Sequence, residues 1–345
     1  MKSDSFGITN GTRQGSVLSP ALFGCYINEL IGQLRALGVG CYIGGSNGIW
    51  CGAASFADDL ILMAPTRSAM EAMLDVCEKY GAIHNLVFST DPSPEKSKSK
   101  CLYMCGKSGP VDYPVKLTLY GEDLPFVEVA THLGHELSQK CTMEYNVKCM
   151  RGRYIQESCE VIEMFRFAHP SEILRAIKVY CCHFYGLILA DLFGEEANKY
   201  YRCFKTTVKD IWQVPRACHT YFVHDLLPVD FMPVKYQIIS RYVTFFRNLC
   251  GSTSKEIRVT ANIVGRDVQT CTGRNLAMIQ RETNHNPWDV PPAVILNAFQ
   301  PVQPPDADVW RLSYLKKLLQ ERKQIQNKLE DTTQIQELIN SLCVN

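Results

Sequence analysis

The sequence predicts an α+β fold for its first part and a mainly α-helical fold for the rest. Apolar residues recur at three- and four-residue steps after Ser19-Pro20 and again after Ser68, which is typical of amphipathic helices. Short apolar runs bounded by turn residues lie between and after these helices, and runs of that length favour strands. From about Thr142 one helical pattern follows another. We therefore expect one antiparallel sheet backed by two helices, followed by helical regions.

These changes in pattern divide the chain into three predicted parts. Residues 1–139 hold the sheet and its two helices, and residues 140–250 form a helical region. Residues 251–345 form a helical C-terminal region that contains a Pro-rich linker, NPWDVPPAV to QPVQPP, and a charged helix from about Ala307.

The first helix is predicted to begin at Ser19, with Ser19 as its cap and Pro20 in its first turn. Gly38 is expected to end it. Its predicted buried face consists of Leu22, Phe23, Tyr26, Ile27, Leu30, Ile31, Leu34 and Leu37.

The stretch SFADDLIL places Asp58 beside Asp59 between two apolar runs of strand length. A strand–turn–strand hairpin fits this pattern, with the two acids at the turn. Adjacent carboxylates repel each other, so a bound cation would relieve the repulsion. The alternative is that Asp-Asp is simply a favourable, water-facing turn.

A second helix is predicted after Ser68 and Glu71, which match a capping box. Its buried positions would be Met70, Met73, Leu74, Cys77 and Tyr80. The polar insert STDPSPEKSKSK follows, and then CLYMC and VKLTLYGEDLPFVEV are expected to be strands, the latter a hairpin that turns near Gly121.

A helix over residues 196–212 is predicted to have one apolar and one basic face. Its apolar face holds Tyr200, Tyr201, Phe204, Val208 and Ile211. Its basic face holds Lys199, Arg202, Lys205 and Lys209. A face of one charge sign suits a phosphate backbone, and the alternative is a solvated surface whose long side chains cover the core.

The composition, with 46% hydrophobic and 21% charged residues, is ordinary for a globular protein and argues against a disordered chain. The net charge of +1 favours neither a nucleic-acid-binding nor a membrane-binding class. The N-terminus has no apolar signal region, so we expect an intracellular protein. The longest apolar run, residues 179–193, is interrupted by His183 and Asp191 and is too short for a membrane span. Sixteen cysteines without a CxxC pair indicate reduced, buried and inert thiols rather than a zinc site.

Four stretches occur in an order that resembles the reverse transcriptases of non-LTR (LINE-type) retrotransposons. RQGSVLSPALF resembles motif B of that family, FADD its metal-binding motif C, the segment ending in KSKSK its motif D, and HLGHEL its primer-grip region. A later stretch, from YGLILADLF to VPRACHTYF, is similar to the helical thumb and the part after it. The resemblance covers residues 6–250. It implies an incomplete polymerase palm followed by a thumb-like domain.

The resemblance also implies a catalytic centre. Asp58 would be a metal ligand and Asp59 the second acid of a two-metal Mg²⁺ site. Either Lys98 or Lys100 would protonate the leaving group or neutralise its charge, and the alternative for these lysines is a flexible basic loop. The nucleotide and template pocket would be lined by Arg13, Gln14, Gly15 and Ser16. For Arg13 a surface ion pair is the alternative, and Gly15 would let the backbone approach a base or sugar.

One departure from the family decides what we expect of the isolated chain. A further aspartate on the preceding palm strand, motif A, should come several tens of residues before motif B, but twelve residues precede Arg13. We therefore expect an RNA-directed DNA polymerase fragment, inactive alone, with RNA template, DNA primer or target and dNTPs as its partners and no membrane. The alternative is a non-catalytic nucleic-acid-binding remnant of a retroelement.

Overall fold

The computed structural model describes residues 15–44, 48–104, 116–139, 143–217, 220–228 and 231–299. Contacts divide the chain into two compact units, Met1–Cys141 and Thr142–Asn345. Arg13, Gln14 and the predicted charged helix from about Ala307 lie outside the described residues.

The first helix, α1, spans Ser19–Ala36 and buries Ile27, Leu30 and Leu34. Its cap position is Leu18, which makes no side-chain cap, so the prediction that Ser19 caps the helix is wrong. Gly38 follows the helix with a φ of 72°, a left-handed conformation that favours glycine and ends the helix as predicted.

Two antiparallel ribbons follow α1. The first pairs β1 (Tyr42–Ile43) with β2 (Ile49–Trp50), and the second pairs β3 (Ala53–Phe56) with β4 (Asp59–Leu62). The amide of Cys41 donates to the carbonyl of Met63 at 3.0 Å, which joins the start of the first ribbon to the end of the second.

The second helix, α2, spans Arg67–His84. Thr66 is its cap, and the Thr66 hydroxyl accepts the amide of Ala69 at 3.2 Å. The predicted capping box of Ser68 and Glu71 is therefore wrong, since Glu71 pairs instead with Arg67 at 2.7 Å.

The remaining strands of the first unit are β5 (Cys101–Leu102), β6 (Thr118–Leu119), β7 (Glu122–Asp123), β8 (Phe126–Val127), β9 (Val129–His132) and β10 (His135–Ser138). The β6–β7 hairpin turns at Tyr120-Gly121, as predicted, with a φ of 54° and 77°. Five two-stranded sheets form in the described segments, and β5 pairs with β8 in parallel. The α+β class is confirmed. The prediction of one antiparallel sheet is wrong for the described segments, because their short strands form separate two-stranded sheets.

The main hydrophobic core of the first unit lies between its two helices. Leu30 and Leu34 of α1 and Met73 of α2 are fully buried, and Leu60 and Leu62 of β4 pack against the same cluster. The two helices therefore cover one face of the β3–β4 ribbon.

The second unit is helical throughout its described segments. Its helices are α3 (Glu144–Met164), α4 (Pro170–Tyr180), α5 (Glu195–Ile211), α6 (Val234–Cys250), α7 (Lys255–Arg266), α8 (Cys271–Thr283) and α9 (Pro292–Ala298), with 3-10 turns at Leu187–Leu189 and Tyr221–Leu226. Helix α5 packs against α3, α4 and α6. Its predicted apolar residues, Tyr200, Tyr201, Phe204, Val208 and Ile211, are all buried. No helix in the described ranges has both the length and the apolar character needed to cross a bilayer.

Candidate functional site

The two acids lie at the tip of the β3–β4 hairpin, as the sequence predicts. Phe56 and Asp59 are the last paired residues of the ladder, so the loop consists of Ala57 and Asp58 alone. Ala57 has a φ of 50°, because a two-residue loop matches the strand twist only with a left-handed residue. The hairpin thus holds both carboxylates at a short, tightly closed turn.

Strand alternation separates the two faces of this hairpin. Leu60 and Leu62 face the core formed with α1 and α2. Asp59 therefore points to the opposite face, together with its partner Phe56, because successive strand residues alternate. Phe56 is 66% exposed, so this face is open near the acids.

Both carboxylates are accessible to a ligand. Asp58 and Asp59 are exposed, and neither forms an ion pair with any described residue. Two adjacent carboxylates without an ion-pair partner among the described residues repel each other and provide the oxygen donors that Mg²⁺ prefers. Across the described segments, however, no group of three or more His, Cys, Asp or Glu side chains is arranged to hold a metal ion.

Of the predicted pocket residues, the structure describes Gly15 and Ser16. Gly15 has a φ of 82°, and an added Cβ there would meet nothing within 4 Å. The left-handed backbone conformation, rather than a lack of space for a side chain, therefore accounts for a glycine at this position. Ser16 lies just before α1, where its side-chain oxygen accepts the amide of Leu18 at 3.4 Å.

Lys98 and Lys100 are both exposed in the loop between α2 and β5. Ser97, which directly precedes Lys98, is buried, and its hydroxyl donates to the carbonyl of Ser99 at 2.5 Å. Lys100 directly precedes Cys101, whose amide donates to the carbonyl of Pro125 at 2.9 Å. The loop is thus anchored on both sides of Lys98, and both lysines remain candidates.

The predicted basic face of α5 is smaller than expected. Lys209 is buried and its ammonium donates to the carbonyl of Arg216 at 2.9 Å, so its placement on an exposed face is wrong. Lys199 bonds Glu195 and Glu196, each at 2.8 Å, and the hydrogen bond to Glu195 is the main cause of its raised pKa.

Arg202 and Lys205 are the exposed members of that face. Partial burial lowers the pKa of Lys205, and the positive charge of Lys235 lowers it further. Lys235 of α6 therefore adds to the local positive potential, although it also pairs with Glu282 at 3.2 Å. The sequence contained no signal for Lys235, because it lies thirty positions beyond Lys205 on another helix.

Comparison with known proteins supports the resemblance carried by the motifs. Residues 2–114 match the family model described as reverse transcriptase (RNA-dependent DNA polymerase). The chain is 36% identical over 89 residues to the retrovirus-related Pol polyprotein of a type-2 retrotransposable element from Drosophila melanogaster. The match covers 26% of this chain and 8% of that relative. The resemblance to non-LTR retrotransposon reverse transcriptases is thereby confirmed within residues 2–114, and its extension to residue 250 stays a prediction.

Proposed function

We propose that this chain is part of the RNA-directed DNA polymerase of a non-LTR retrotransposon and is inactive on its own. The observation that carries the proposal is the open hairpin tip with Asp58 and Asp59, which lies within the segment similar to reverse transcriptases. Residues 1–139 would form part of the palm, residues 140–250 the thumb-like region, and residues 251–345 a helical C-terminal region.

Asp58 and Asp59 would hold the divalent metal that reverse transcriptases generally use, and we propose Mg²⁺. Their exposure suits this ion, which is commonly bound by one or two carboxylates together with water and substrate phosphates. When bound, the metal would supply charge stabilisation at the attacking 3′-hydroxyl and the leaving pyrophosphate. The described residues bring no third ligand to the hairpin, which is why we expect the isolated chain to be inactive.

The chain's other candidates would position the substrate. Gly15 and Ser16, together with Arg13 and Gln14, would line the nucleotide and template pocket at the start of α1. Lys98 or Lys100 would donate a proton to the pyrophosphate oxygen, or offset its negative charge, from the anchored loop before β5. These lysines are exposed, which leaves them free to reach a substrate.

The partners that follow are an RNA template, a DNA primer or target, and dNTPs. We also propose an intracellular site of action, because all cysteines in the described ranges are free thiols and a reducing compartment would keep them so.

A segment exchange tests the polymerase proposal. Residues 15–104 would replace the equivalent segment of a complete, active reverse transcriptase of this family, and primer extension with Mg²⁺ and dNTPs would be measured. We expect the chimera to extend primers and Asp58→Asn to abolish extension. Asp75→Asn is the matched control, since Asp75 is an exposed acid on α2 and should leave extension unchanged. A folded chimera in which Asp58→Asn retains full activity would contradict the proposal.

A second candidate is a non-catalytic nucleic-acid-binding module. It is favoured by the absence of a third metal ligand among the described residues and by the exposed Arg202 and Lys205. The two candidates differ in one measurement. Salt-dependent binding of the 345-residue chain to a primer–template that is unchanged in Asp58→Ala, with no extension activity from the chimera, would favour this second function.

A further inference from the structure

Cys41 and Cys51 face each other across the β1–β2 ribbon. The register pairs Tyr42 with Trp50, and one step outward it places Cys41 opposite Cys51. The amide of Cys51 donates to the carbonyl of Cys41 at 2.8 Å, so the last hydrogen bond of the ribbon joins these two residues, while the amide of Cys41 donates to Met63 instead. Opposed residues at a hydrogen-bonded position of antiparallel strands have Cα atoms roughly 5.5 Å apart, which falls within the range of roughly 4.4–6.8 Å that a disulfide bridges.

The two side chains are also close enough to influence each other. Opposed residues project from the same face of a ribbon, so both thiols lie on one side of it. Cys41 and Cys51 are both half-buried free thiols. Burial raises the pKa of Cys51, and the negative charge of an ionised Cys41 raises it further.

The surrounding backbone holds this pair in place. Cys41 donates its amide to Met63 at 3.0 Å, and Met63 in turn donates its amide to Gly52 at 2.6 Å. A Cβ added at Gly40 would lie 3.0 Å from the Cα of Gly52, so these two glycines allow the chain segments just beyond the cysteine pair to approach closely. Both cysteines are therefore flanked by tightly packed backbone.

We propose that Cys41 and Cys51 are a thiol-oxidation site that forms a reversible cross-strand disulfide. The bond would tie β1 to β2 two residues before β3 begins, at the base of the hairpin that carries Asp58. This inference concerns a modification of the chain and does not depend on the proposed polymerase function.

The reaction is thiol–disulfide exchange with a low-molecular-weight disulfide such as glutathione disulfide. One cysteine thiolate attacks the glutathione disulfide, whose S–S bond breaks and releases one glutathione thiolate. The second cysteine thiolate then attacks the protein sulfur of the mixed disulfide and releases the other glutathione. The two cysteines lose two electrons and two protons, and glutathione disulfide gains the two electrons. Because burial raises the pKa of both thiols, the exchange should accelerate as the pH rises towards 9.

Peptide mapping tests the proposal directly. The full chain would be incubated at pH 8.5 with oxidised glutathione, alkylated, and digested with trypsin. Cleavage after Arg35 and Arg67 yields a peptide, residues 36–67, whose cysteines are Cys41 and Cys51 alone. We expect more than about half of this peptide to resist alkylation and to be lighter than the reduced form by two hydrogen atoms. Chymotryptic cleavage after Tyr42 and Trp50 should then leave fragments joined through sulfur.

Two variants and one denatured sample serve as controls. Cys51→Ser should leave Cys41 alkylated or carrying one glutathione, whereas Cys25→Ser, which removes an exposed thiol on α1, should leave the linked peptide unchanged. In urea the yield at the same glutathione ratio should fall by roughly tenfold, because the fold no longer holds the thiols together. The proposal is overturned by a peptide with two alkyl groups or two glutathiones, or by a native yield no higher than the yield in urea.

Discussion

The hydroxyl of Tyr80 donates to the backbone carbonyl of Tyr26 at 2.5 Å, which joins the last turns of α2 to the middle of α1. The hydroxyl of Tyr26 in turn donates to the carbonyl of His84 at 2.5 Å. Tyr80 is 1% exposed, so these bonds lie inside the helix pair that supports the acidic hairpin. These two hydrogen bonds therefore add polar contacts to the mainly apolar helix pair against which the Asp58–Asp59 hairpin packs.

Tyr80→Phe should lower the free energy of unfolding of the first unit by about 1 kcal/mol, since it removes a buried hydrogen bond and leaves the ring in place. Urea unfolding measures the change. Tyr42→Phe is the matched control, because the Tyr42 hydroxyl donates to Gly38 at 3.2 Å from an exposed side chain and should contribute less. Equal effects of the two substitutions would contradict this account.

Asn275→Ala should destabilise the second unit by about 2–4 kcal/mol. The buried amide of Asn275 accepts from the backbone of Leu192 at 3.0 Å and donates to the carbonyl of Ala190 at 2.8 Å. Truncation leaves both backbone groups without this partner. Asn262→Ala is the control, since its amide bonds within α7 to Arg258, and thermal unfolding should separate the two variants clearly.

The helices were predictable because their signal is local. The apolar residues of α5 repeat with the helical period, and Tyr200, Phe204 and Val208 are buried as that period requires. The hairpin at Asp58 was equally local, since two strand-length runs flank a two-residue turn. These elements place the candidate metal ligands without any knowledge of distant contacts.

The failures occurred where a distant or competing group decides the outcome. Lys209 falls on the basic side of a helical projection, but the chain reverses after α5 and brings the Arg216 carbonyl to its ammonium. Thr66 and Ser68 are both suitable cap residues for α2, and Thr66 is the one that caps it, since the helix begins at Arg67. The parallel pairing of Cys101 with Phe126 joins strands that a propensity argument considers separately.

Raising the pH above about 9 should destabilise the second unit through Cys182. Burial raises the pKa of its thiol from 9.0 to about 12, with a further contribution from Cys181. The contribution of the protonated Cys182 thiol to the free energy of unfolding is complete below pH 9, where the thiol keeps its proton in the unfolded chain as well. This contribution is lost as the pH rises through 12. Cys182→Ala should therefore reduce the slope of unfolding free energy against pH, over pH 9–10.5, by up to roughly 1 kcal/mol per pH unit.

The control for this pH dependence is Cys149→Ala, because Cys149 is exposed. Its slope between pH 9 and 10.5 should match that of the unmodified chain, as measured by chemical denaturation at several pH values. Identical slopes for Cys182→Ala and the unmodified chain would contradict the assignment.

A divalent cation should bind weakly at the hairpin tip of the isolated chain. Mn²⁺ as a paramagnetic probe is expected to broaden amide NMR signals of residues 56–60 before those of α2, because two exposed carboxylates lie at that turn. Asp58→Asn with Asp59→Asn should weaken the broadening by at least about tenfold. Asp75→Asn should not change it, and broadening centred on Asp75 in the unmodified chain would contradict the site.

Arg202→Ala combined with Lys205→Ala should weaken binding of the chain to a primer–template. The double substitution should also reduce the magnitude of the slope of log affinity against log salt concentration by about 2, because each exposed cation that contacts a phosphate releases roughly one counterion. Lys199→Ala should change this slope less, since Glu195 and Glu196 already neutralise that ammonium. Arg281→Ala, on the exposed surface of α8, controls for the loss of positive charge alone. If Arg281→Ala lowers the slope as much per charge as the α5 substitutions do, binding follows net charge. An unchanged slope in the double variant would show that these two side chains do not contact the nucleic acid, and the second candidate function would then lose the basic surface that favours it.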